Sequence, residues 1–282
     1  VDVVSTANNH ALDRGRVGLL RTIEALDASG LAFAGTRAEP GSEPAHASTP
    51  ARLGASRVRI AWLACTYGTN GLVDGADLVT RCYDDRSEPS PELLAAVRAL
   101  AADPRLDAVI VTPHWGVEYQ HVPSRAQEAL AAELVAAGAT AVVGTHPHVV
   151  QPVRSVAAGG RSAPVAFSLG NFVSDQPEPA MRTGLLLYLD LARGGDGRLH
   201  ARNPRYVPLF TAHAPDAGGH RRTLVVLDDD VPGAAAAAAR EVVRDVLDPD
   251  LQCGSPGGPG PARATAALGP ARDPHRRPSH PR

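Results

Sequence analysis

Two imidazoles share one short loop, Thr145-His146-Pro147-His148, which follows the apolar run Ala139-Thr140-Ala141-Val142-Val143-Gly144. A His-x-His pair leaving a strand is expected to send both rings the same way, because alternate residues of an extended chain share a face. Both rings can then address one metal ion or two neighbouring ones, and neutral imidazole suits zinc, iron, nickel and copper. The competing reading is a polar loop with one solvent-facing and one hydrogen-bonded histidine.

Three other apolar strands end on comparable residues. Val1-Asp2-Val3-Val4-Ser5 runs into Asn8-Asn9-His10, Ala108-Val109-Ile110-Val111 into Thr112-Pro113-His114, and Val165-Ala166-Phe167-Ser168 into Gly170-Asn171. In α/β sheets, ligands gather outside the carboxyl ends of the strands, where loops from distant parts of the chain converge. Four exits carrying His or Asn fit that rule better than a scatter of core histidines does.

The elements that must hold these exits are legible as periodic segments. Residues 16–29 place Leu19, Leu20, Ile23 and Leu26 at helical spacing, with Gly30 as the stop. Residues 31–34 read as a short strand, 36–50 as a Pro, Glu and Ser surface loop, 57–67 as a buried strand, and 68–90 as irregular. Ser90 and Pro91 open a helix with Leu93, Leu94, Val97 and Leu100 on one stripe, and a third helix spans 124–137. Strands around 184–191 and 199–209, joined by Gly194-Gly195-Asp196-Gly197, read as a hairpin. Helix and strand alternate early and a hairpin comes late, so the expected architecture is a layered α/β sandwich with mixed sheet.

With 282 residues, 44% of them hydrophobic, the chain can bury a sizeable core. Its formal charge is −2, and every basic residue is arginine, dispersed among carboxylates, so no nucleic-acid partner is indicated. Cys65, Cys82 and Cys253 lie far apart and form no C-x-x-C pattern; free thiols are favoured over a Cys65–Cys82 bridge. No run approaches the ~20 apolar residues of a membrane span. The chain opens at Val1 inside a strand, so a natural beginning, with any leader or anchor, is expected upstream. Three parts are expected: a main domain over 1–212, an extension over 213–248 with a weakly amphipathic alanine-rich helix, and a disordered Pro, Gly and Arg tail over 249–282.

Four blocks carry a resemblance: Asn8-Asn9-His10-Ala11-Leu12-Asp13-x-Gly15, His114-Trp115-Gly116-Val117-Glu118-Tyr119, Gly144-Thr145-His146-Pro147-His148-Val149-Val150-Gln151-Pro152 and Ser168-Leu169-Gly170-Asn171-Phe172. In this order they resemble the successive signatures of the CapA family, bacterial capsule-synthesis proteins associated with poly-γ-glutamate. That resemblance implies a calcineurin-like metallophosphoesterase fold, an α/β/β/α sandwich with mixed sheets, over about residues 1 to 210. It also implies a pair of divalent ions, manganese, zinc or iron, clamping a substrate for in-line displacement. By position, Asn9, His114, His146 and His148 resemble the metal ligands, and His10 the histidine that supports the leaving group. The superfamily's Asp-bearing blocks precede its Asn-His block, and only eight residues precede Asn9. Two ions among mostly neutral ligands are expected to bind weakly in this polypeptide.

Other residues have two readings each. Asp13 either orients His10 as a carboxylate partner or caps the following helix. Glu118 is a substrate or ligand-supporting contact, or a surface residue. Asn171 contacts substrate or shapes its turn, and Arg182 meets an anionic substrate or does not. Trp115 and Tyr119 read as packing residues, and His121, His200, His213 and His220 as solvated. The resemblance implies capsule biosynthesis at the cell envelope, on an anionic polymer or phosphoester, alongside capsule-synthesis membrane proteins. The alternatives are a non-catalytic envelope protein that tethers the polymer, and a generic metallophosphodiesterase.

Overall fold

In a computed structural model of the chain, which describes residues 1–40, 46–53, 56–214, 221–254 and 266–267, the apolar run at 58–65 forms an inner strand of one large sheet. The N-terminal unit comprises β1 (Val3–Ser5), α1 (Gly15–Ala28) and β2 (Ala32–Ala34), with β1 and β2 paired in parallel as a separate two-stranded sheet. Next come β3 (His46–Leu53), β4 (Ser56–Thr66), α2 (Pro91–Ala102), β5 (Ala108–His114), α3 (Arg125–Ala137), β6 (Ala141–Val143), β7 (Val153–Ala158) and β8 (Arg161–Ala166). These strands form a six-stranded sheet in the order β3-β4-β5-β6-β8-β7. The inner four are parallel, and the edge strands β3 and β7 run antiparallel to their neighbours. Four parallel strands therefore end on one rim, the place where such sheets collect ligands.

Helices α2 and α3 cover one face of this sheet, where Leu93, Val97, Leu130 and Leu134 pack on Val109, Val111, Val142 and Val165. Their ends follow the sequence signals. The Ser90 hydroxyl accepts from the Leu93 N–H at 3.2 Å. Ser124 and Gln127 make a reciprocal capping box, and Gly138 closes α3 at φ 116°, where a side chain would be strained.

The other face is covered by the expected hairpin, β9 (Thr183–Arg193) and β10 (Leu199–Ala214). Leu189, Leu191, Leu199 and Ala201 meet Val58, Ile60, Ile110 and Ala141 there. β11 (Arg221–Val226), β12 (Gln252–Cys253) and β13 (Ala266–Ala267) complete this second sheet. Helix α4 (Ala234–Val246) packs Ala236, Ala239 and Val243 into a core with Leu185 and Phe210. The fold is thus the expected mixed α/β sandwich of facing sheets and helices.

Three local expectations need correction. The segment read as loop through residue 50 contains β3 from His46, paired along its length with β4; its Pro, Ser and Thr content is tolerated at an edge. Alanines that looked weakly amphipathic make a defined buried stripe on α4, because a small side chain lets the helix approach the sheet closely. His121 is not merely solvated: its Nδ1 donates to the Val150 carbonyl at 2.8 Å. His200 and His213 bond Asp196 and the Ser174 carbonyl, respectively. His220 and most of the tail expected over 249–282 lie outside the described residues.

Cys65 and Cys82 are disulfide-bonded, contrary to the free-thiol expectation. Both are buried, and the bridge closes a loop whose ends the topology already brings together: Cys82 N–H donates to Thr66 O at 2.8 Å. A loop of this size raises stability by roughly 3 kcal/mol through the unfolded chain. Replacing both cysteines with alanine is therefore expected to lower the melting temperature by about 5 to 10 °C in a scanning calorimeter.

Candidate metal centre

The rim is built from the ends of β1, β4, β5, β6 and β8. Glycine lets two of these exits meet: a Cβ on Gly144 would collide with the Phe167 carbonyl and the Trp115 indole nitrogen. The Trp115 Nε1–H donates to Phe167 O at 2.9 Å, and its backbone N–H to Thr145 O at 3.1 Å. Trp115 is a packing residue that fixes the β5 and β6 exits against β8, as expected.

His146 and His148 converge, but not for the reason given by strand alternation. β6 stops at Val143, and the two histidines take φ values of 100° and 60° on either side of Pro147. The left-handed region costs L residues on the order of 1–3 kcal/mol each, and such strain collects at functional sites. Asn70 (φ 52°) and Tyr119 (φ 65°) at the same rim show it too. The ring centroids of His146 and His148 lie 5.9 Å apart, and those of His114 and His146 lie 4.7 Å apart.

Glu118 completes the group. One ligand-type atom from each of Glu118, His146 and His148 lies within 4.8 Å of the other two. Its loop is held from both sides. The Tyr119 N–H donates to Pro147 O at 2.7 Å, and Gly116, at φ 94°, packs tightly on the Gln127 side chain. Gln127 also donates to Gln151 Oε1, and Gln151 to Gln120 O, each at 2.8 Å, so a buried amide relay ties the loop to α3. Of the two readings of Glu118, a substrate or ligand-supporting contact and a surface residue, the structure favours the first, with its carboxylate among the imidazoles.

Asn9 and His114 meet beside them. The His114 Nε2–H donates to Asn9 Oδ1 at 2.9 Å, and its Nδ1 bonds Thr145 Oγ1 at 3.1 Å. Two ligand atoms about 2.0–2.2 Å from one cation lie about 3.0–3.5 Å apart at right-angled or tetrahedral geometry, so this pair could face a shared ion after a shift of a few tenths of an ångström, with the ring hydrogen carried on Nδ1. The His10 Nδ1 bonds Asp13 Oδ2 at 2.8 Å, while the cap position of α1 falls on Arg14 with no side-chain bond. Asp13 therefore orients His10 and does not cap the helix. Asn171 spends its amide on the scaffold: Oδ1 accepts from His148 Nδ1 at 3.0 Å, and Nδ2 donates to Met181 O at 2.7 Å and Gln176 Oε1 at 3.1 Å. With its Nδ1–H committed, the His148 Nε2 lone pair is free for a cation. Arg182 is not brought to this group. It is buried with its guanidinium 4.8 Å from the Phe210 ring centroid, and Nη1 donates to Thr211 O at 3.4 Å.

The electrostatics keep the rings neutral. Burial, helped by the positive field that His146, His148 and His10 would create, lowers the His114 pKa to about 3. Burial lowers that of His146 to about 4, against an opposing pull from Glu118. Tyr67 ends above its ordinary value through burial and the Glu118 charge. The His146 Nδ1 is buried with no hydrogen-bond partner. An unpartnered imidazole nitrogen beside a carboxylate and a second free imidazole is a donor set that fits a borderline divalent cation.

Tyr67, Asn70 and Thr145 were not singled out from the sequence. Asn70 Oδ1 accepts from Asn9 Nδ2 at 3.0 Å, and its Nδ2 lies 3.4 Å from His10 Nδ1. The strand-exit rule that found the other exits would have found Tyr67 had it been applied to β4.

The family model described as "Bacterial capsule synthesis protein PGA_cap" matches residues 1–176. The chain is 34% identical over 196 residues to "Capsule biosynthesis protein CapA" of Bacillus anthracis, covering 68% of this chain and 45% of that protein. It is 30% identical over 203 residues to "PGA biosynthesis protein CapA" of Bacillus subtilis, covering 70% and 48%. It thus spans just under half the length of these relatives. Among solved structures it is similar to a hypothetical protein from Thermus thermophilus (TM-score 0.41, 19% identity, 73% of this chain and 76% of that one). It is also similar to a putative 5'-nucleotidase from Staphylococcus aureus (TM-score 0.41, 12% identity, 86% and 42%). On the sequence matches, which cover well over half of it, the chain belongs to the PGA_cap family of bacterial capsule synthesis proteins.

Proposed function

We propose that the chain serves poly-γ-glutamate capsule biosynthesis through a metal-dependent hydrolase-type site that acts at the cell envelope on an anionic substrate. The observation that carries this reading is the convergence of Glu118, His146 and His148, with Asn9 and His114 adjoining them. A divalent cation held by the first three, and a second beside Asn9 and His114, would supply Lewis-acid polarisation of a phosphoryl or carbonyl oxygen. The chain's own residues prepare the site. Asn171 fixes the His148 tautomer, burial withholds protons from His114 and His146, and Asp13 holds His10 at the exposed rim, where it can donate to a departing oxygen or nitrogen.

The substrate class is a phosphoester or an amide-linked glutamate polymer, with capsule-synthesis membrane proteins as partners. The relatives named for capsule and PGA biosynthesis support an envelope location, as does the buried disulfide, a bond that persists in oxidising compartments. Among the described residues no helix is long and apolar enough to cross a membrane.

Calorimetric titration with manganese and zinc, followed by hydrolysis of bis-p-nitrophenyl phosphate in the same samples, tests the proposal. Saturable binding is expected, with turnover rising as the site fills, and both lost in the His146→Ala, His148→Ala variant at an unchanged far-UV spectrum. Wild-type affinity in that variant would remove the centre and the hydrolase reading with it. Tight binding without turnover of the diester or of poly-γ-glutamate would leave a polymer-binding protein.

A further inference from the structure

At the exit of β4, a phenol stands against the donor group without serving as a ligand. The Tyr67 ring lies 4.5 Å from the His146 ring, and it is nearly parallel to that of His114 at 6.5 Å. Its backbone is clamped: the Tyr67 N–H donates to His114 O at 2.8 Å, and Thr66 N–H to Thr80 O at 2.9 Å. The Cys65–Cys82 bridge lies two residues back. A ring fixed this firmly aims its hydroxyl without further ordering.

The hydroxyl faces the Asn9 amide. Asn9 has already committed its Oδ1 to His114 and one Nδ2–H to Asn70, so the group it can offer the phenol is its remaining N–H. The phenol oxygen is then the acceptor, and its own hydrogen is left to point elsewhere. Among the described residues no acceptor takes it. The surrounding ligand-type atoms, carboxylate oxygen and imidazole lone pairs, repel an anion unless a cation offsets them, and Tyr67 is a neutral donor among them.

We propose that Tyr67 contacts the substrate, donating its O–H to an anionic phosphoryl or carboxylate oxygen brought against the His114–His146 pair. This inference rests on the metal-site reading above. A fixed donor placed where an anionic oxygen is to sit needs no reorganisation when that oxygen arrives. No proton is transferred; the contact is a hydrogen bond from a phenol that is protonated at neutral pH.

Tyr67→Phe removes the hydroxyl and keeps the ring packing. Manganese is titrated first into wild type and variant, and inorganic phosphate is then titrated into the manganese-loaded proteins, all by calorimetry with parallel thermal melts. Manganese affinity and melting temperature are expected to match, and phosphate to bind the variant about tenfold to a hundredfold more weakly, the worth of one hydrogen bond to a charged oxygen. Phosphate affinities within twofold of each other would overturn the role of Tyr67 and leave the metal centre standing. So would a wild-type protein that binds manganese but no phosphate. A parallel loss of manganese affinity in the variant would also overturn it, by making Tyr67 a support of the ligands. Failure of the wild type to bind manganese would defeat the metal-site reading itself, and this inference with it.

Discussion

Changing Glu118 to glutamine is expected to weaken manganese or zinc binding about a hundredfold, ~2.7 kcal/mol, while the melting temperature moves by no more than a few degrees. Glutamine preserves the volume and one carbonyl oxygen, so the loop held by Tyr119 N–H to Pro147 O and by the Gln127–Gln151 relay stays in place. What disappears is the one negative charge in a donor set otherwise made of neutral imidazole. Neutral ligands barely offset a divalent ion taken from water, so the charge dominates the affinity. Protonation does not confuse the result. Glu118 pulls the His146 pKa upward, so its removal leaves that ring more firmly neutral and more available. Glu118→Asp, which keeps the charge on a shorter arm, is expected to recover part of the loss. Equal affinity in wild type and Glu118→Gln, measured by calorimetry at pH 7, would place the cation elsewhere.

Much of this site was legible because strand exits in a parallel sheet obey a topological rule that depends only on pattern. The apolar runs before His114, His146 and Asn171 could be counted, and β5, β6 and β8 do end together on one rim. The helix cap at Ser90 was legible for the same reason: it acts through atoms a few residues away. What failed was anything that depends on long-range pairing or on departures from regular backbone. β3 exists because β4 offers it a partner, and the Cys65–Cys82 bond because the Thr66 and Cys82 backbones are joined; neither partner is visible locally. The rings of the His-x-His pair do converge, but by another mechanism than alternation. An extended chain would have aligned the rings by alternation, whereas the protein turns them together with two positive φ angles around a proline. Glu118 has no local signal that separates it from a surface carboxylate. A carboxylate four residues beyond a strand-end histidine reaches the centre only because the Gly116 backbone bends back over Gln127. Arg182, whose sequence leaves a substrate contact open, stacks on Phe210, a ring some thirty positions away in sequence on the neighbouring strand β10.

The cation-free protein is expected to lose about 5–15 °C of melting temperature between pH 7 and pH 5, above the range in which carboxylates titrate. In the unfolded chain both His114 and His146 take up a proton near pH 6.5, whereas in the fold they do so only at about 3 and about 4. Between these limits the unfolded state binds more protons, so stability rises with pH there. The contribution is complete above the unfolded value and is lost as pH falls from about 6.5 toward the folded values. Each ring, titrating near pH 6.5 in the unfolded chain, gives up to about 2 kcal/mol between pH 7 and pH 5, so the two together are worth about 2–4 kcal/mol. Saturating manganese should steepen the fall, since the bound ion stabilises only the folded form and its affinity drops as pH falls. Replacing His114 and His146 by glutamine should flatten the cation-free curve over the same interval, because the two rings whose proton uptake the fold suppresses are then gone. Differential scanning calorimetry in a buffer series of constant ionic strength reads both curves. A wild-type melting temperature that stays level from pH 7 to pH 5 would mean that the fold does not hold these rings neutral. The lone pairs on which cation binding depends would then be lost to protons already in mildly acidic solution.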